Sequence, residues 1–326
     1  MIARIGQTKF RCDQIGDQVC DRLGLGVIDM QIFISGSSGL IGSALGAAFT
    51  SAGHEVVPLV RKQGAAPGSV VWDPMADSMD AAMLEGVDAV VHLSGESLAE
   101  GRWTKSKKKR LWDSRVRSTN LLSKTLAQLR RRPRVMICAS GIGIYGDRGD
   151  EILTEDSPAG AGFVADLCRA WEGASAPATA GGIRVVHMRL GIVLAHDGGA
   201  LAKMMTPFRL GVGGVIGDGR QYVAWIALED VVGAVMHLIE RSQLAGAVNL
   251  VAPQEITNRQ LTKMLGHVLH RPTLLAVPAL AARIVFGEMA KELLLASARV
   301  TPRRLLDDGF VFAYPQLQAA LEHAVS

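Results

Sequence analysis

Apolar residues fall in short unbroken runs along this chain, and between the runs they recur at helical spacing. Ile32-Phe33-Ile34 opens the series. Val56-Val57-Pro58-Leu59-Val60, Val70-Val71-Trp72, Ala89-Val90-Val91-His92-Leu93, Val135-Met136-Ile137-Cys138-Ala139, Ile183–Leu190 and Ala247–Val251 follow, each reading as a strand. Leu40, Ile41, Ala44, Leu45, Ala48 and Phe49 repeat at three and four, which marks the buried face of a helix that Gly53 ends. A long helix is predicted from about Lys107 to Leu129 and a shorter one over Asp230–Glu240. Strands without polar alternation, separated by helices, belong to a parallel sheet covered on both faces. Right-handed crossovers then give an α/β fold with a doubly wound sheet. Residues 256–326 are largely apolar and helical in pattern, punctuated by Pro272, Pro278, Pro302 and Pro315. They predict a smaller, mostly helical C-terminal cap over the strand ends, shared with residues 198–219. The sheet domain takes residues 30–197, with 220–255 returning to it. Residues 1–29 lack sustained periodicity and are expected to be a poorly ordered extension.

The first strand runs into Gly36-Ser37-Ser38-Gly39-Leu40-Ile41-Gly42, and the helix starts at once. Strand, glycine turn and helix N-terminus, in that order, make a dinucleotide site: the first helical amides point at phosphate. Gly36 permits the turn, Gly39 the approach of a pyrophosphate, and Gly42 the close packing of helix on strand. After the second strand an acidic residue would grip a ribose 2′-hydroxyl. Arg61-Lys62 stand there instead, and two cations suit a 2′-phosphate, which selects NADP(H) over NAD(H). Asp73, after the third strand, is placed to accept from the adenine amino group. Leu93-Ser94-Gly95, after the fourth, would lie by the nicotinamide ribose.

Bulk properties narrow the partners. The 326 residues are 48% hydrophobic and 20% charged, as in compact globular proteins. No apolar run reaches the roughly 18 residues of a membrane helix, and the first thirty residues carry no signal-peptide core. A cytoplasmic protein with a small-molecule substrate, monomeric or homodimeric, is expected. The four cysteines form no CxxC pair, and no metal site is predicted. The net charge of +4 is mild but clustered, at Lys105–Arg110 and at Arg130–Arg134. No aromatic platform is interleaved with these cations, which argues against nucleic acid.

Beyond these readings, the segments GSSGLIG, LSGESLAEGRWT, ASGIGIYGDRGD, PFRLGVGGVIGDGRQYVAW and NLVAP, with Arg61, Ser114-Arg115 and Arg189–Leu194, give a family likeness. From about Met30 to the C-terminus the chain resembles the extended short-chain dehydrogenases/reductases, in the atypical branch called epimerase-family or sugar-nucleotide epimerase proteins. GEMAKELLLASARVTPRRLLDDGF resembles that branch's helical appendage. The resemblance implies an NADP-binding Rossmann domain with a substrate-binding cap and leaves the reaction open, some relatives being labelled cell-division inhibitors.

Typical members of the wider family use a serine with a tyrosine and a lysine four residues apart. Ser140 matches the serine. On the helix Phe163–Glu172 the tyrosine and lysine positions fall at Val164 and Cys168, which can neither give a proton nor supply a charge. The position usually held by asparagine is Arg115, and the histidine after Trp-Ile is Ala227. Three functions follow. An oxidoreductase would use Ser140 and, as proton donor, Tyr145. An epimerase-like enzyme would reduce and reoxidise its cofactor within one cycle. A non-catalytic regulator would sense NADP(H) without turnover. Glu96, Arg102 and Trp103, and beyond them Arg209, Arg220 and Trp225 around Gly211–Gly219, are the substrate-binding candidates. That glycine segment reads either as a phosphate cradle or as a plain connector.

Overall fold

The computed structural model describes residues 30–61, 68–196, 198–240 and 244–326. The expected extension over 1–29 and the cation Lys62 lie outside the described residues.

Eight strands form the main sheet: β1 (Gln31–Ser35), β2 (Glu55–Val60), β3 (Val70–Asp73), β4 (Ser78–Met79), β5 (Ala89–His92), β6 (Val135–Gly141), β7 (Arg184–Leu190) and β8 (Gly246–Leu250). Their order is β8-β7-β6-β5-β1-β2-β3-β4, parallel throughout except for the edge strand β4. β4 has two residues, too few to leave a periodic signal in the sequence. The strand order reverses between β1 and β5, the place where ligands of such sheets bind.

Side chains alternate across the sheet, and both faces are covered. Ile32 and Ile34 point to one face, packing with Leu45 and Phe49 of helix α1 (Leu40–Ser51), where Val231, Val235 and Leu238 also join the cluster. Phe33 points to the other, packing with Val57, Val90 and Met136 over Leu122 and Leu126 of helix α2 (Lys105–Gln128). This two-sided burial explains why the strands read as continuous apolar runs. Thr104 starts α2 by accepting a hydrogen bond from the Lys107 amide. The basic group that opens this helix is paired: Lys107 and Arg110 with Glu96, Lys108 with Glu288, and Lys109 with Asp113.

Further along lie α3 (Phe163–Gly173), α4 (Gly199–Arg209), α5 (Leu228–Glu240), α6 (Asn258–Val268) and α7 (Leu317–Val325). Leu201, Met205 and Phe208 of α4, Leu261 and Leu265 of α6, and Leu317 and Leu321 of α7 share a separate core. The C-terminal segment is also sewn into the sheet domain. Leu305 and Phe312 enter the core beneath α1 and α5, and the short strand Arg299–Val300 pairs with Ile152–Leu153.

The glycine segment 211–219 is neither an open cradle nor a plain connector. Gly214–Ile216 is a strand paired with Leu275–Val277. A Cβ at Gly214 would lie 2.1 Å from the Leu275 carbonyl oxygen, and one at Gly213 would lie 2.5 Å from the Phe208 ring. These glycines serve close packing.

Candidate functional site

The turn between β1 and α1 holds its shape because only glycine fits. Gly36 has φ +73°, and a Cβ there would lie 3.0 Å from the Leu93 carbonyl carbon. A Cβ at Gly42 would meet the Gly36 oxygen at 2.2 Å. The Gly39 amide donates to that same oxygen at 3.0 Å, closing the turn. At its N-terminus α1 has no side-chain cap and no acidic residue in its first turn. Among the described residues no side-chain cap and no acid of its own first turn meets these leading amides, which fits a phosphate ligand. Ser37 and Leu40 are half-buried and Ser38 is exposed at this mouth.

Arg61 follows β2 directly, is exposed, and has no partner among the described residues. Asp73 ends the neighbouring strand. One of its carboxylate oxygens accepts from the amides of Met75 and Ala76 at 2.8 and 3.2 Å, so a turn already uses half of this group.

On the other side of the reversal, β5 ends in a buried histidine that ties three elements together. Ser35 Oγ lies 2.6 Å from His92 Nδ1, and Ser118 Oγ of α2 lies 3.2 Å from Nε2. Ser118 Oγ donates to α2 carbonyls, at 2.8 Å for Ser114 and 3.0 Å for Arg115, so it accepts from Nε2–H. Nδ1 must then accept from Ser35, which leaves the Ser35 oxygen to receive the amides of Leu93 at 3.2 Å and Ser94 at 3.4 Å. Burial pushes the His92 pKa down to about 3, so the ring is neutral. This relay holds Leu93-Ser94-Gly95 in position. Arg115 reaches Gly95 from α2: a Cβ at Gly95 would lie 3.2 Å from the guanidinium carbon. The Gly36 turn, Leu93–Gly95 and Arg115 therefore meet at the strand reversal, while Arg61 and Asp73 stand at the ends of the adjoining strands β2 and β3.

At the end of β6 the register lines up three polar residues across neighbouring strands: Ser140 pairs with Arg189, and Arg189 with Asn249. Arg189 forks onto Glu172 of α3, with Nε to Oε1 at 2.9 Å and Nη2 to Oε2 at 3.0 Å. Ser140 Oγ donates to Glu172 Oε1 at 2.7 Å. Arg189 Nη1 donates to the Tyr145 hydroxyl at 2.9 Å, and that hydroxyl donates to Asn249 Oδ1 at 2.7 Å. Burial raises the Glu172 carboxyl, but the Arg189 fork outweighs it and holds Glu172 below its ordinary value. Burial also lifts the Tyr145 hydroxyl above its ordinary value, only partly opposed by Arg189.

These surroundings argue against Tyr145 as the proton donor. The residue is 0% exposed, it packs with Ile144, Leu153 and Val164, and its proton is committed to Asn249. Val164 and Cys168 do face this segment, as the four-residue spacing predicts. Val164 closes on Gly143, and burial pushes the Cys168 thiol up to about 12. The sequence reading passed over Glu172, Arg189 and Asn249 as partners. The available signal was Arg189 itself, since a charge inside an apolar parallel strand requires a buried counter-ion.

The substrate candidates divide. Glu96 accepts from Lys107 at 2.7 Å and Arg110 at 3.2 Å. Arg102 donates to the Ile284 carbonyl at 3.1 Å, and Trp103 donates to the Leu98 carbonyl and stands edge-on to Phe163 at 5.4 Å. Together they hold residues 96–104 against α2 and the C-terminal segment, beside the crevice. Arg209 and Arg220 are exposed on either side of the Gly214–Ile216 strand. Trp225 is a correction: it is 1% exposed in the core shared by α4, α6 and α7, and its indole donates to the Gln254 carbonyl.

Comparison with known proteins agrees with this geometry. Residues 32–250 match the NAD dependent epimerase/dehydratase family, and residues 277–324 match a domain of unknown function, DUF1731. An epimerase family protein of Mycobacterium leprae is 40% identical over 295 residues, which is 90% of this chain and 95% of that protein. The crystal structure of human epimerase family protein SDR39U1 with NADPH superposes with a TM-score of 0.83 at 33% identity, covering 91% of this chain and 99% of that one. The nucleoside-diphosphate sugar epimerase of Corynebacterium glutamicum superposes at 0.76 with 36% identity, covering 92% and 59%.

Proposed function

The chain belongs to the NAD dependent epimerase/dehydratase family, and on that premise we propose that it is an NADP(H)-binding extended short-chain dehydrogenase/reductase acting on a hydroxyl or carbonyl of a small or nucleotide-linked substrate. The observation that carries the cofactor choice is Arg61, an exposed cation without a partner among the described residues, at the end of β2 where an acid would select NAD(H). The uncapped amides of α1 and the Gly36–Gly42 turn take the pyrophosphate. Leu93–Gly95, fixed by the Ser35–His92–Ser118 relay, take the far half of the dinucleotide. When bound, the cofactor supplies or accepts hydride.

Ser140 is the residue assigned to the reacting oxygen. Its own proton is donated to ionised Glu172, which leaves its oxygen able to accept from a substrate hydroxyl. Ser140 thereby orients and polarises the reacting oxygen, while Glu172, held ionised by the Arg189 fork, only accepts the hydrogen bond from Ser140, and the substrate proton exchanges with solvent. Arg189 and Tyr145 position Glu172 and stay outside the proton path.

A second reading is favoured by the enclosure of Tyr145 and by valine and cysteine at positions 164 and 168: a regulator that binds NADP(H) without turnover. One set of measurements separates these readings. Calorimetric titration of the wild type should give heat with NADPH, and Arg61→Ala should weaken NADPH roughly ten- to hundredfold while leaving NADH unchanged, the range for one charge-assisted contact. Equal losses for the two coenzymes would refute the NADP(H) assignment. Loss of NADPH absorbance with any carbonyl compound in a screen excludes the pure regulator.

A further inference from the structure

Arg115 is a buried cation that forms no ion pair among the described residues. It is 7% exposed, and its guanidinium lies against Gly95 and 5.0 Å from the Trp171 ring, which Thr119 holds through the indole nitrogen. Nη1 donates to the Leu111 carbonyl of its own helix at 3.2 Å, and Nε is buried with no partner. No carboxylate among the described residues forms an ion pair with it. The acids of this wall are engaged elsewhere: Glu96 by Lys107 and Arg110, Glu172 by Arg189, and Glu292 by the first two amides of α3. Arg189, by contrast, sits opposite a carboxylate that uses its whole fork. A guanidinium does not shed its proton at any ordinary pH, so the charge of Arg115 persists in the crevice wall.

We propose that Arg115 makes the crevice selective for the reduced form of the cofactor. The inference rests on the NADP(H) reading above. With the pyrophosphate on α1 and the phosphorylated ribose at Arg61, the other half of the dinucleotide faces β5 and β6, the side where Gly95 and Arg115 stand. The nicotinamide ring is positive when oxidised and neutral when reduced, and everything else in the molecule is the same. A fixed, poorly screened positive charge on that side repels only the oxidised ring. Its attraction for the phosphates is common to both forms and cancels in their ratio. At an effective dielectric near 20, unit charges within several ångströms of each other interact strongly enough for a preference of about tenfold.

The test is the ratio of dissociation constants for NADP+ and NADPH, measured by calorimetry on the wild type, Arg115→Met and Arg115→Lys, with 2′-phospho-ADP-ribose as a probe that lacks nicotinamide. Wild type should favour NADPH about tenfold. Arg115→Met should bring the ratio near unity, and the fragment reports separately whatever attraction for the phosphates is lost from both forms alike. Arg115→Lys retains the charge and should retain the preference, which guards against a packing defect in the methionine variant. An unchanged ratio in a folded Arg115→Met protein overturns the proposal, as does a wild type that binds both forms equally. If the fragment itself fails to bind the wild type, the cofactor reading falls first, which distinguishes the two failures.

Discussion

On the β1–β2 side of the strand reversal the polar groups face outward unsatisfied, whereas on the β6–β8 side they are bonded to one another inside the protein. The first side offers the uncapped amides of α1 and Arg61, which has no partner among the described residues. The second holds Glu172, Arg189, Tyr145 and Asn249 in one connected set of hydrogen bonds at 2.7 to 3.0 Å, with Ser140 at its edge donating to Glu172 and its oxygen left as an acceptor. Groups meant for a ligand must be left incomplete until it arrives, and groups that shape a scaffold cannot be, because an unmet buried charge costs several kcal/mol. Arg115 breaks the division. It is buried like the second set and unpaired like the first, which is why it draws a functional interpretation.

The strongest way to break this comparison is to remove the centre of the bonded set. Arg189→Met leaves the Glu172 carboxylate buried without its cation and the Tyr145 hydroxyl without a donor. A loss of about 3 to 5 kcal/mol in unfolding free energy is expected, the usual cost of stranding one partner of a buried pair. Arg61→Ala, on the open side, should cost less than about 0.5 kcal/mol in the same denaturant titration, since exposed, unpartnered side chains contribute little. Equal losses at the two sites would mean that the β6–β8 set is not the scaffold described here.

The same contrast explains what could be read in advance. The main strands, α1 and the glycine turn were legible because each depends on local pattern: apolar runs, spacing at three and four, glycine where no Cβ fits. The open side was legible too, since the glycine turn and the cation after β2 are local features of the chain. The bonded side was not, because its logic is sheet register. Ser140, Arg189 and Asn249 are adjacent only after β6, β7 and β8 pair, and Glu172 meets them across a helix packed on the sheet. Tyr145 looked like a donor from its place five residues past Ser140; the register showed it enclosed. Trp225 misled in the same way, lying beside arginines in sequence but inside a core in space. The glycines at 213 and 214 look alike in sequence whether they free a loop or admit a neighbouring strand.

His92 lies on the seam between the two sides and gives an intermediate effect. Its folded pKa is about 3, against 6.5 for the free side chain, because burial disfavours the charged ring. Between those values the unfolded chain binds the proton and the folded chain does not, so stability is present above the unfolded value and falls as pH falls. At pH 5 this amounts to about 2 kcal/mol lost relative to neutrality, at about 1.4 kcal/mol per pH unit. His92→Gln should show a shallower decline between pH 7 and pH 5, by about that amount, in urea titrations at the two pH values. An identical slope in both proteins would mean that His92 is not the neutral, enclosed link between Ser35 and Ser118.

Within the bonded set the smallest expected effect is also the most direct measure of whether Tyr145 belongs to it. Tyr145→Phe keeps the ring among Ile144, Leu153 and Val164 and removes only the hydroxyl. Asn249 Oδ1 then loses its donor, while Arg189 Nη1 keeps the Glu155 carbonyl at 3.3 Å and the Glu172 fork is untouched. A loss of about 1 to 2 kcal/mol in stability is expected, the cost of one unmet buried acceptor. NADPH affinity by calorimetry should not change. If a carbonyl substrate emerges from the absorbance screen, its turnover should fall by no more than a few fold. A collapse of turnover at unchanged stability would return Tyr145 to the proton path, and Asn249 would then have to release the hydroxyl whenever a substrate enters.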